Sequence, residues 1–302
     1  MNPLAPFARW IDAALREQLL EGDDVPTADF LNPAGEAALA GPDSVSWRIF
    51  RNPLALYIGG ITAVLLELAE PRVRTGVWEH TSFRTNPLRR MRRTGLAAMV
   101  TVYAARSVAE EMIAGVGRMH ARIAGTTPDG RAYRADDPEL LRWVHATALF
   151  GFMEACHHYV TPLSQDERDA FIAEGVPAAK LYGAVGAPAS EAGMHELFAQ
   201  MEPHLESSEI IAEFLEIMER LSLFPRPLRA VNRWLIAAAI DLLPGTIRGR
   251  LELEARKSPP KPVARMLRWS GAAIDRLHLE SAPATQACRR LGLPADHLRR
   301  TR

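Results

Sequence analysis

The chain holds only two cysteines in its 302 residues, Cys156 and Cys288, and they stand far apart. That excludes a disulfide framework and a pairwise cysteine metal signature, and it favours a reducing compartment. Charge of one sign is also missing: 36 basic and 36 acidic residues give a net charge of zero and a pI near 7.2. With no recognised binding motif beside that balance, nucleic acid is not an expected partner. Lysine is nearly absent, since arginine supplies 33 of the 36 basic residues. Such a bias can follow from nucleotide composition and carries no functional weight. Long hydrophobic runs are lacking as well. The longest, Leu54 to Leu66, is interrupted by Gly59 and Gly60, and Leu235 to Leu243 is shorter; both fall below the roughly 20 residues of a spanning helix. The N-terminus mixes charge through its apolar positions and does not have the profile of a signal peptide. The expectation is a soluble, cytoplasmic protein without a transmembrane segment, with peripheral membrane contact left open for an enzyme of greasy substrates. Repeats and sustained alternating strand patterns are absent too, so the chain reads as all-α.

What is present is helical periodicity punctuated by proline and capping residues. The first forty residues read as a short amphipathic helix followed by turns. Gly41-Pro42-Asp43-Ser44 then opens the first buried helical region. An apolar stretch runs from Pro53 to Ala69, where Pro71 ends or interrupts it. The segment Val73 to Asn86 offers Trp78, His80, Phe83 and Arg84 as residues able to line a site entrance. A long helical region follows Pro87 and reaches Ile123 with one break. Residues 125–138, with Pro128-Asp129-Gly130 and Asp136-Asp137, read as a connection. The next helix runs from Glu139 to about Tyr159, and Ser164 with Glu167 marks another start. Further helices are expected over 191–201, 208–222, 227–243 and 262–280, and residues 256–262 read as a linker. The organisation expected is an N-terminal extension (1–40), a helical core (41–250) and a C-terminal helical extension packed on it (251–302).

Two histidines in helix-compatible apolar sequence, His120 and His145, are the most informative residues. A buried imidazole must find a hydrogen-bond partner or bind something. His120 follows a helix bearing Val108, Met112, Val116 and Met119, where Gly115 and Gly117 would admit a flat cofactor. It could equally cap helix carbonyls, with the glycines serving helix packing. His145 shares a helix side with Leu141, Ala148 and Phe152, and it could equally be bonded to a carbonyl or carboxylate. Glu154, His157 and His158 follow on the same helix, and two histidines with a carboxylate can hold non-haem iron. Arg84, Arg89, Arg90, Arg92 and Arg93 form the densest basic patch, with Thr94 beside it. One face of that patch could clamp propionates or polarise oxygen, or the whole could face solvent. His195, His204, His278 and His297 read as surface histidines.

The order of these segments resembles the family of latex-clearing rubber oxygenases and the fungal oxygenase MpaB. The resemblance covers residues 40 to 245. It is carried by Gly41-Pro42-Asp43-Ser44, by Phe83-Arg84-Thr85-Asn86-Pro87 with the arginines after it, by Met119-His120-Ala121, and by Asp137-Pro138 through Thr147. No single motif is highly specific, and their order and combination are much more so. The resemblance implies a single all-α domain with a globin-like core that binds haem b and uses dioxygen. The stretch Arg90-x-x-Arg93-Thr94 followed by His120 matches the family's arginine, basic residue and threonine upstream of the axial histidine. That makes His120 the implied iron ligand, Arg90, Arg93 and Thr94 the implied distal or propionate residues, and His145 a pocket residue near the cofactor. The two histidines could exchange these roles.

The chain departs from the polymer-cleaving members in having no evident secretion segment. The implied activity is therefore a haem-dependent oxygenase or oxidoreductase acting with dioxygen on a smaller apolar, alkene-containing substrate, supplied with electrons by a donor. Two other readings stay open at this point. One is a non-haem iron oxidoreductase using His145, Glu154 and His158. The other is a helical protein that binds haem or lipid without turnover.

Overall fold

A computed structural model describes residues 28–221 and 229–300, together with Asp12. Most of the expected N-terminal helix, and the first residues of the helix expected over 227–243, lie outside the described residues. Among those described there are 14 α-helices and one two-stranded sheet. The fold is essentially all-α, as the periodicity requires; nothing in it singles out a globin-like arrangement.

Two long helices form the centre: α2 (Pro53–Ala69) and α6 (Pro138–Tyr159). Each begins with a side-chain cap followed by proline, Asn52 before Pro53 and Asp137 before Pro138. Proline costs nothing at the first helical position, where its missing N–H has no partner to lose. The two helices run antiparallel. Gly59 meets Gly151 in the middle, while Trp143 Nε1, earlier on α6, donates to the Leu66 carbonyl, later on α2, at 3.2 Å. The crossing is tight enough that a Cβ on Gly59 would sit 2.6 Å from the Gly151 carbonyl oxygen.

The remaining helices wrap this pair. α1 (Val45–Phe50) is capped by Ser44. α3 (Pro71–His80) leaves α2 at an angle of 109°. Pro71 therefore does more than end an apolar helix: it starts a new one, with the Glu70 carboxylate accepting from Val73 N at 2.8 Å. α4 (Pro87–Tyr103) and α5 (Arg106–His120) realise the long helical region with its one break, at Ala104 and Ala105. They form a hairpin, so the last turn of α5 returns to the first turn of α4.

The connection after α5 contains what periodicity did not reveal. β1 (Ala124–Thr126) pairs antiparallel with β2 (Ala132–Arg134) through a turn whose Gly130 has φ +91°. Three residues per strand are too few to register as an alternating pattern.

α7 (Gln165–Tyr182) carries the expected Ser164–Glu167 capping box and ends at Gly183 with φ +87°. α8 (Glu191–Met201), α9 (Glu209–Arg220) and α10 (Arg229–Asp241) follow near their expected bounds, then the short α11 (Gly245–Arg250). α12 (Lys261–Ile274) stops well before residue 280. α13 (Pro283–Arg290) and α14 (His297–Arg300) complete the chain. Arg290 ties the end to the beginning by donating to the Phe30 and Glu36 carbonyls, each at 2.9 Å. The main buried apolar cluster accordingly runs from Phe30 to Leu298. No single helix among the described residues is long and apolar enough to cross a membrane; only the bent pair α2–α3 reaches that length and composition.

Candidate functional site

The α4–α5 hairpin brings Arg90, in the first turns of α4, beside His120, at the end of α5. The Arg90 charge acts on the His120 imidazole and on the Glu67 carboxyl of α2. Burial first, and then Arg90, lowers the His120 pKa, with Asp136 acting against them. The ring is therefore neutral at physiological pH, the form in which histidine binds a metal. Among the described residues neither ring nitrogen has a hydrogen-bond partner. The cap on carbonyls weighed from sequence is not made.

Burial pushes the Glu67 carboxyl up to about 7, opposed only by Arg90. Arg90 is itself lowered, mainly by burial. Yet Glu67, Arg90 and His120 are all half-exposed. Periodicity did not pick out Glu67, although a single carboxylate between Leu66 and Leu68 on an apolar helix was a readable signal.

Arg90 also donates to Thr94 Oγ1 at 2.6 Å, and that hydroxyl donates to the Arg90 carbonyl at 3.0 Å. Thr94 and Arg93 are exposed. The rest of the basic patch disperses. Arg84 pairs with Glu213 of α9 at 3.0 Å, Arg89 is half-buried, and Arg92 Nε is covered without a partner. Gly115 and Gly117 are not demanded by helix packing, since a Cβ on either would meet nothing closer than 3.7 Å. Of the expected entrance residues, Phe83 is buried and Trp78 half-buried in an aromatic cluster with Phe214, and His80 is exposed.

His145 sits differently. Its Nε2 is covered and has no hydrogen-bond partner, and it faces Gly175 of α7, where a Cβ would lie 3.2 Å away. Burial alone drives its pKa down to about 4. No hydrogen bond or ion pair joins it to Arg90 or His120. Above it, Tyr182 of α7 meets Thr101 of α4 at 3.0 Å and Met112 of α5 at 4.0 Å, linking the three helices.

The non-haem iron set does not assemble. His145 and His158 are thirteen residues apart on one helix, roughly 20 Å at 1.5 Å per residue. Glu154 is instead bound by Arg168, which also donates to Glu191 at 2.7 Å, and His158 Nδ1 lies 3.0 Å from the Glu154 carbonyl. Among the described residues no three His, Cys, Asp or Glu side chains converge to hold a metal ion. That disfavours a protein-only metal site, whereas haem needs one axial side chain. An open recess of about 390 Å³ lined by Phe150, Glu154, His195, Phe198, Glu202 and Ile247 lies apart from His120 and Arg90. Its Glu154 is held by Arg168 and its Glu202 accepts from Thr246 at 3.0 Å, which leaves His195 as its unbonded titratable side chain among the described residues.

In this all-α fold a neutral histidine without a hydrogen-bond partner among the described residues stands beside an arginine whose charge also acts on the Glu67 carboxyl. Residues 47–276 match the family described as ER-bound oxygenase mpaB/B'/Rubber oxygenase, catalytic domain, and the chain belongs to that family. Membership carries an oxygenase-type activity. Neither a curated protein nor a solved structure matches the chain.

Proposed function

We propose that this protein is a haem b-dependent oxygenase that acts with dioxygen on an apolar, alkene-containing small molecule, with His120 as the side chain that would hold the iron. The observation that carries the reading is the His120 imidazole itself: neutral, half-buried, unbonded at both nitrogens and set beside Arg90. His145 fits the ligand role less well, because burial alone acts on it, whereas Arg90 of the motif acts on His120.

When bound, haem b supplies an iron centre that activates dioxygen. The chain's own residues do the rest. Arg90 offers fixed positive charge to a propionate or to negative charge developing on oxygen, with Thr94 holding its guanidinium. Arg93 adds exposed positive charge nearby. Glu67, with a pKa near neutrality, would take up or release a proton close to Arg90. Family membership supports an apolar substrate, and an electron donor would reduce the centre.

The test is haem content after expression with ample haem, followed by dioxygen uptake on a panel of small alkenes. The reading expects one haem per chain and uptake that depends on an alkene. Haem without alkene-dependent uptake would leave a binding protein, and the oxygenase assignment would fall.

A further inference from the structure

A second surface is built for a different partner. α12 is pinned to the core along one side: Leu267 is buried, Gly271 packs against the Tyr159 carbonyl, and Asp275, just past its end, accepts from Arg51 Nε at 2.9 Å. At 100° per residue, that anchoring turns Trp269 straight outward. Its exposure of 71% is the highest among the large apolar side chains described, and Met266 beside it is 46% exposed. Arg265, Arg268 and Lys261 share the outer face, flanked by Lys257 before the helix and Arg276 after it; all five are exposed. None of the five forms an ion pair among the described residues, whereas the neighbouring Arg256 is paired with Glu219. Two of the chain's three lysines fall in this short stretch, in a protein of zero net charge.

We propose that the outer face of α12 docks on an anionic lipid bilayer, with Trp269 and Met266 entering the headgroup region and the five cations facing lipid phosphates. The apolar and cationic residues are arranged as an interfacial helix needs them. On the helical wheel Trp269 stands between Arg265 and Arg276 on one side and Pro262, Ala273 and Met266 on the other. Tryptophan favours the boundary of headgroup and acyl chain, and long cationic side chains reach from there to phosphate. The charge argues for a membrane over a second copy of the chain, because two such faces would bring unpaired cations together. The inference stands independently of the haem reading.

The experiment is co-sedimentation of the full chain with vesicles of phosphatidylcholine, with and without about 30% phosphatidylserine. Trp269→Ala and the double variant Arg265→Glu/Arg268→Glu are run beside it, with helical circular dichroism as the check on folding. The expected result is binding to the anionic vesicles only, weakened at least about tenfold in each variant and by high salt. Absence of binding by the wild-type chain overturns the proposal, as does binding that the variants leave unchanged. Self-association without vesicles that Trp269→Ala abolishes also overturns it, by assigning the face to a second copy.

Discussion

Glu67 and Arg90 interact without closing into an ion pair: each acts on the other's charge, yet no nitrogen of Arg90 lies within 4.0 Å of an oxygen of Glu67. Burial, opposed by Arg90 alone, leaves Glu67 poised near neutrality.

That poise has a stability consequence with a definite sign. Burial raises the folded-state pKa of Glu67 from 4.5 to about 7, so between those values the folded chain binds more protons than the unfolded one. Stability from this group is complete below pH 4.5 and is lost as pH rises through 7. Glu67→Gln is therefore expected to stabilise the protein above pH 7 by on the order of 2–3 kcal/mol, and to change nothing at pH 4. Urea unfolding at both pH values checks it; equal effects at the two would contradict the burial argument.

His145 acts in the opposite direction over almost the same range. Its folded pKa is lowered from 6.5 to about 4, so the unfolded chain binds more protons and stability is lost as pH falls from 6.5 towards 4. The two groups offset each other in the wild type. His145→Gln should remove the acid-side loss, on the order of 2–3 kcal/mol, and unmask the Glu67 slope in a pH series of thermal midpoints.

The α2–α6 crossing sets how closely the two central helices approach. Gly151→Ala would drive its Cβ into the Gly59 carbonyl and to 3.1 Å from Ala63 N. Backbone cannot step aside as a flexible side chain can, so a loss of about 3 kcal/mol or more is expected in denaturant unfolding. Gly117→Ala, at an open position, should cost nothing comparable.

The main helices were legible because their starts are written locally: Asn52-Pro53, Asp137-Pro138 and Ser164 with Glu167 each combine a cap with an apolar run. α3 was not, because its polar composition hides it. It is held from outside, by the Glu70 cap and by Arg74, which reaches Glu206 at 2.7 Å. The hairpin of β1 and β2 was too short to show a period. At the site, the order of Arg90, Thr94 and His120 could be read along the chain. The approach of Glu67 to Arg90, and of His145 to Gly175, could not, since each depends on how two different helices pack rather than on spacing along one. Glu154 and His158 had the spacing of ligands, and only the arrival of Arg168 from α7 reveals them as part of an ion-pair network.

That network yields its own test. Arg168 bridges two largely buried carboxylates, and Arg168→Met would leave Glu191 without its arginine and Glu154 with His158 alone. Such losses run to about 3–5 kcal/mol. The same variant should leave any bound haem spectrum unaltered in the fraction that folds. A change there would tie Glu154 to the cofactor after all.

The central claim rests on His120, and the visible absorption spectrum of the reduced and oxidised protein tests it most directly. Wild type, His120→Ala and His145→Ala are compared after expression with ample haem. A haem band in the wild type that is lost or shifted in His120→Ala and retained in His145→Ala is the predicted result. A band that survives His120→Ala but not His145→Ala would move the axial ligand to α6. No band in folded wild-type protein would contradict the haem assignment altogether.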